Sequence, residues 1–291
     1  MKHTVFLVAG LFCIPVSGGS VMPAERCGCL ATETSPYPAL AEPRFLSAFP
    51  CSADDRTSGE PMQDTLKPPY LKNVGRRGDI TIWVVDGVYV RTHIDEEFTN
   101  YAQHYAFKFI PEHEFWLDKE AEEDEQHFFI DHLLEEYRLM KKGVAYDDAL
   151  EAADKKERLE RERTGDVKKV TAGRGLADPT KVHCQLWKKL ESGVSVWIVD
   201  GRLVRSVFDI DFTEGGHEHV YEFVPRNEVW IDNDLEEIER PYVLLHELHE
   251  RNLMAKGWSY SKAHEDSSKL EYHCRHHPNE LHDALGAEGW E

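Results

Sequence analysis

From residue 77 onward, apolar positions recur first at every second residue and then at every third or fourth, and this succession happens twice. VSVWIV, the pair Asp200-Gly201 and RLVRSV alternate as strands do. Asp-Gly between two alternating segments favours the positive φ angles of a tight turn, so the three together predict a β-hairpin. HVYEFVP and EVWID predict two further strands after Gly215-Gly216. The acidic stretch NDLEEIER, or KEAEEDEQ in the earlier copy, opens a helix, because negative charge is favourable at the positive end of a helix dipole. Gly257, or Gly143, stops that helix, and a second follows from about Ser261. Residues 77–163 superpose on 191–277 without a gap, at the offset that takes Trp83 onto Trp197. The chain is therefore expected to be α+β, a tandem duplication of a module with a small antiparallel sheet followed by two helices.

The expected organisation is a signal-like tail rich in Pro and Ser over residues 1–70, a first repeat over 71–163, a linker over 164–190 and a second repeat over 191–291. Lys2 followed by VFLVAGLFCIPV and small residues resembles a secretory signal, too short to span a bilayer, so no transmembrane span is expected in the mature chain. Export follows if translation starts at Met1, and a cytoplasmic location if it starts near Met62. A net charge of −20, from 54 acidic against 34 basic residues, argues against nucleic acid or an anionic membrane as the main partner and suits a cationic ligand or a metal. Acidic residues that keep exposed helices soluble explain the same charge. Cys184 and Cys274 lie outside any paired zinc spacing, and in an exported protein they are the disulfide candidate. Nothing in the pattern specifies an oligomeric state.

The chemistry is concentrated in the first helix of each repeat. Val243, His246, Glu250 and Leu253 fall on one helical stripe, as do Phe129, His132, Glu136 and Leu139. A His and a Glu one turn apart on a half-buried face must be hydrogen-bonded, paired or bound to an ion. A structural pair that locks helix to sheet is one reading, and metal ligation is the other. The second repeat carries Glu247, His249 and His264 where the first has Leu133, Glu135 and Leu150, so it has gained coordinating groups.

EVWID, an acidic turn, LLHELHE and a following helix with AHE and Glu271 resemble the core of small zincin metallopeptidases over about residues 228–271. That family has HExxH, whereas this chain has Glu250 at the second histidine position. The resemblance implies His246 as first metal ligand, Glu247 as catalytic base, Glu250 as a carboxylate in the second ligand place, and His264 or Glu271 as the third ligand. It implies a divalent metal, zinc first, with manganese or iron also compatible with mixed His and carboxylate donors. It also implies hydrolysis of a peptide or amide, with a peptide or protein as substrate. The first repeat, with Leu133 and Leu150, is then a non-catalytic partner.

Glu228, Trp230 and Asp232 share one strand face, so Glu228 and Asp232 are expected either to orient the helix histidines or to cap the strand end and helix start. His249, His132 and Glu136 join them as orienting or structural residues. His217 and His219 are expected at the surface, Arg205 with Asp209 and Arg91 with Asp95 as ion pairs, and His273, His276 and His277 as an adventitious metal cluster. No phosphate-binding glycine loop, serine nucleophile elbow or Cys-His signature is present. Two readings follow: a metallohydrolase with its site in the second repeat, or a non-enzymatic tandem module with buried His-Glu pairs that binds a partner. Convergence of His246, Glu250 and His264 or Glu271 on one point separates them.

Overall fold

The computed structural model describes residues 68–171 and 176–290, so the signal-like segment and the alternative start at Met62 lie outside the described residues. The first repeat runs β1 (Tyr70–Arg77), β2 (Ile80–Val85), α1 (Gly87–His93), β3 (Tyr101–Gln103), β4 (Glu114–Asp118), α2 (Gln126–Met140) and α3 (Tyr146–Arg161). A short α4 (Asp166–Val170) precedes the second repeat: β5 (His183–Lys189), β6 (Ser195–Val199), α5 (Gly201–Val207), β7 (Gly215–His217), β8 (Glu228–Asp232), α6 (Arg240–Ala255), α7 (Tyr260–His276) and a closing α8 (Leu281–Ala287). The strand orders are β1-β2-β4-β3 and β5-β6-β8-β7. The protein is thus α+β, with two four-stranded sheets each followed by helices. Both repeats belong to one compact unit.

The predicted hairpin is not there. Asp86 and Asp200 are helix N-caps: the side chain of Asp200 accepts a hydrogen bond from Leu203 N at 2.9 Å, and Asp86 accepts one from Tyr89 N. The glycines that follow supply room rather than a positive φ, since a Cβ at Gly87 would stand 1.7 Å from the Asp118 carboxylate and one at Gly201 would stand 2.0 Å from that of Asp232. Seven residues are too few to separate a period of two from one of 3.6, and GVYVRTH and GRLVRSV are helical. Because a helix intervenes, the next paired strand runs parallel, β2 with β4 and β6 with β8, and each sheet is mixed rather than antiparallel. HVYEFVP is likewise not a strand. β7 ends at His217, whose carbonyl accepts from both Val220 N and Tyr221 N in a turn.

Both faces of each sheet are covered. In the second repeat Val196, Ile198, Val229 and Ile231 pack against Val243, Leu244, Leu245 and Leu248 of α6, while Val199 and Trp230 meet Val204 of α5 and Phe212 on the other face. Each such side chain, fully buried, contributes about 1.5–3 kcal/mol of transfer free energy, which holds the long helices against the sheet. The segment expected to be a linker supplies β5 and so belongs to the second sheet. It pairs His183 with Val199 where the first repeat pairs Tyr70 with Val85, a slip of one residue that the longer β5–β6 loop recovers.

Buried ion pairs cross between the repeats with pseudo-twofold regularity. Arg91 reaches Asp118 of its own sheet at 2.6 Å and Glu239 at the start of α6 at 3.3 Å. Arg205 reaches Asp232 at 2.5 Å and, correspondingly, Glu125 at the start of α2 at 3.1 Å. Glu125 also holds Arg161 at 2.6 Å, and Glu239 holds Arg275 at 2.8 Å. The expected pairs Arg91 with Asp95 and Arg205 with Asp209 do not form. Both aspartates lie beyond the ends of α1 and α5 and turn back to accept Glu97 N and Asp211 N. Cys184, exposed on the edge strand, and Cys274, buried in α7, are both free, so the disulfide candidate is not a disulfide. No helix among the described residues is long and apolar enough to cross a membrane.

Candidate metal centre

α6 carries His246, Glu247 and Glu250 toward β7, and α7 lays His264 and Glu271 beside them. His246 Nε2 is 3.1 Å from His264 Nδ1, His264 Nδ1 is 2.9 Å from Glu250 Oε2, and Glu250 Oε2 is 3.7 Å from His246 Nε2. The centre of a triangle with those sides lies about 1.9 Å from each corner, against zinc bonds of about 2.0–2.2 Å to imidazole and carboxylate. The donor set, two imidazoles and one carboxylate, fits a divalent cation.

The atoms of these side chains that face away from the triangle are also held. His246 Nδ1 meets Glu271 Oε2 at 3.0 Å, and His264 Nε2 faces Glu97 Oε2 of the first repeat at 3.7 Å. Glu250 Oε1 meets Nε2 of fully buried His217 at 3.1 Å. The backbone N–H of His219 donates to His217 Nδ1 at 3.2 Å, which leaves Nε2 as the protonated nitrogen that donates to Glu250. Such outer partners fix tautomer and ring orientation at metal-binding histidines.

The local field favours positive charge. Burial disfavours a charged His246, but Glu250 and Glu271 outweigh it and raise the ring well above its usual range. His264 goes the same way: burial lowers it, Glu250 and Glu97 raise it more, and it is pushed up to about 9. Burial would also raise Glu250, yet His217, His246 and His264 hold it well below the usual carboxylate range. Glu247 differs. Burial first and the Glu250 carboxylate second push it up to about 8, against the pull of His246 and His264. Its carboxylate lies with those of Glu250 and the ring of His217 in a group whose nearest atoms are within 4.8 Å of one another. A cavity of about 110 Å3 opens onto these groups, walled by Gly215, Val220, Tyr221, Val243 and Tyr260, with Glu97 reaching in from the first repeat.

Glu271, expected as a possible third ligand, is spoken for by His246 Nδ1 and Arg275, and the pair holds it down to about 2 despite burial. Glu228 and Asp232 do not orient the helix histidines. Glu228 meets His183 Nε2 at 3.0 Å and accepts from Trp230 Nε1 at 2.8 Å, and Asp232 binds Arg205. His249 points away from the centre, to Asp266 at 2.9 Å and Glu288 at 2.7 Å, and ties α6 to α7 and the C-terminal segment. His217 is not at the surface but inside the centre. Its counterpart Gln103 donates to Glu136 Oε1 at 2.5 Å, so an N–H donor at this position in both repeats was the available signal. His273, His276 and His277 each take a separate partner, Glu280, the Tyr272 carbonyl and the His273 carbonyl.

The first repeat keeps part of this arrangement. His132 lies 3.4 Å from Glu136 and 2.9 Å from Glu157, the counterpart of Glu271. Leu133 and Leu150 replace Glu247 and His264, and the ring of Tyr101 lies edge-on to His132 at 5.2 Å where the second repeat has Gly215. Comparison with family models, curated proteins and solved structures finds no match for this chain.

Proposed function

We propose that the second repeat is a metal-dependent hydrolase acting on a peptide or amide bond, with His246, His264 and Glu250 as metal ligands. What carries this reading is that three inward-facing donors converge at metal-bonding distance while each donor residue is fixed from behind, by Glu271, Glu97 and His217. When bound, a divalent cation, zinc first, would supply Lewis acidity toward a carbonyl oxygen and toward water. Glu247 is the proton carrier. A half-buried carboxyl pushed up to about 8 accepts and releases a proton near neutral pH, the property required of a general base that later serves the leaving amine. His217 keeps Glu250 aimed through its Nε2–H, and the cavity opens onto both Glu247 and Glu250. For the first repeat the structural reading is favoured by its lack of a second imidazole, Leu150 standing in the place of His264, and by Tyr101 edge-on to His132.

Metal analysis of purified protein tests the proposal. One stoichiometric equivalent is expected in the wild type and in His132→Ala, and none in His246→Ala. Absence of metal from the wild type after expression in zinc-supplemented medium, or equal loss from the two variants, overturns it. Glu247→Gln is expected to keep the metal and lose hydrolysis of amide substrates by at least about 100-fold, the usual scale of general acid–base catalysis.

A further inference from the structure

The first repeat places an aromatic ring where the second repeat has its cavity. Tyr101 and Gly215 hold the same register, opposite Leu117 and Ile231. The Tyr101 ring stacks on Phe129 at 4.5 Å, stands edge-on to His132 at 5.2 Å, and lies in the field of Glu157, Asp154, Asp211 and Glu136. The residues related to these six by the repeat are Val243, His246, Glu271, Ser268, Glu97 and Glu250, and all six line the cavity. The space is therefore the space of a phenol. Its walls changed with it, since Val243 replaces Phe129, and a Cβ at Gly215 would come within 3.0 Å of Glu247 Cγ and 3.1 Å of Val243 Cγ1.

We infer that the cavity binds a flat aromatic ring carrying a polar head, seated against Val243 with its edge toward His246 and the head toward Glu271 and Ser268, as Tyr101 is seated against Phe129 and His132 in the first repeat. The inference rests on the proposed function for the chemistry beside the ring, and it narrows the substrate to an aromatic amide or an aromatic side chain of a peptide. Val220 and Tyr221 supply the remaining apolar wall, and Glu247 lines the same cavity.

The test is binding rather than turnover, measured by ligand-observed NMR on the full chain with and without EDTA, using p-cresol and N-acetyl-tyrosinamide. One saturable site for p-cresol is expected in the wild type. Gly215→Tyr, which supplies the ring of Tyr101 itself, is expected to weaken it at least ten-fold while the fold persists by circular dichroism. Tyr101→Ala is expected to raise the stoichiometry from one to two by opening the twin cavity. N-acetyl-tyrosinamide binding as tightly as p-cresol assigns the ring to a peptide, and its exclusion assigns it to a small aromatic. No saturable p-cresol site, or equal affinity in Gly215→Tyr, overturns the inference. Metal analysis of the same samples separates the two ideas: a metal-loaded protein without p-cresol binding sinks the ligand alone, and a metal-free protein that binds p-cresol sinks the hydrolase alone.

Discussion

In the first repeat Tyr101 covers His132, whereas in the second Gly215 leaves a cavity in front of His246. Around that contrast, Gln103 becomes His217, Phe129 becomes Val243, Leu133 becomes Glu247 and Leu150 becomes His264. The residues that do not change are as telling. A histidine, the glutamate one turn later and a glutamate from the next helix occur in both repeats, so they answer a need of the module itself: satisfying a buried polar seam between the two long helices. What the second repeat adds is an open face, a third donor and a carboxyl poised near neutrality.

The comparison can be broken at several points. The largest effect is expected from Glu125→Ala and Glu239→Ala, each of which removes a carboxylate shared by two buried arginines. Each is expected to cost about 3–5 kcal/mol in urea denaturation, and a large difference between the two would end the pseudo-twofold equivalence. Next is Glu97→Gln, which removes the carboxylate behind His264. Calorimetric zinc affinity is expected to fall about 10- to 100-fold, with no change in Asp211→Asn, the related acid facing the repeat without a third donor.

A pH titration sharpens the contrast for the shared pair. Burial disfavours a charged His132, but Glu136 and Glu157 raise it to about 10. The folded state thus holds a proton that the unfolded chain releases near the ordinary histidine value of about 6.5. Its stabilisation is complete below that value and declines as pH rises toward 10, at no more than about 1.4 kcal/mol per pH unit. Urea midpoints of wild type and His132→Gln are expected to converge across this window. The smallest effect is the helix cap: Asp200→Ala is expected to cost about 1 kcal/mol, and Asp86→Ala a similar amount.

Much of this was legible in the chain. The long helices announce themselves because fifteen or more residues separate a 3.6 period from any other, and the strand EVWID is bounded by turns. Asp200-Gly201 reads locally as a turn because the reason for the glycine, the Asp232 carboxylate against its Cα, lies 31 residues away and no local pattern contains it. The cluster of His246, Glu250 and His264 emerged from spacing and from the difference between repeats. His217 and Gly215 did not, since one is a histidine set against a glutamine that makes the same hydrogen bond, and the other resembled an ordinary turn glycine. Both act through tertiary contacts that a local pattern does not contain.

The crossed arginines have a consequence for how the protein comes apart. Glu125 belongs to the first repeat and secures Arg205 of the second, while Glu239 does the reverse for Arg91. Neither half can loosen while the other stays intact without exposing a mismatched charge in both, so denaturation is expected as one event. A calorimetric trace would then carry a single peak for the two repeats whose van't Hoff and calorimetric enthalpies agree, although the sequence is a pair of modules.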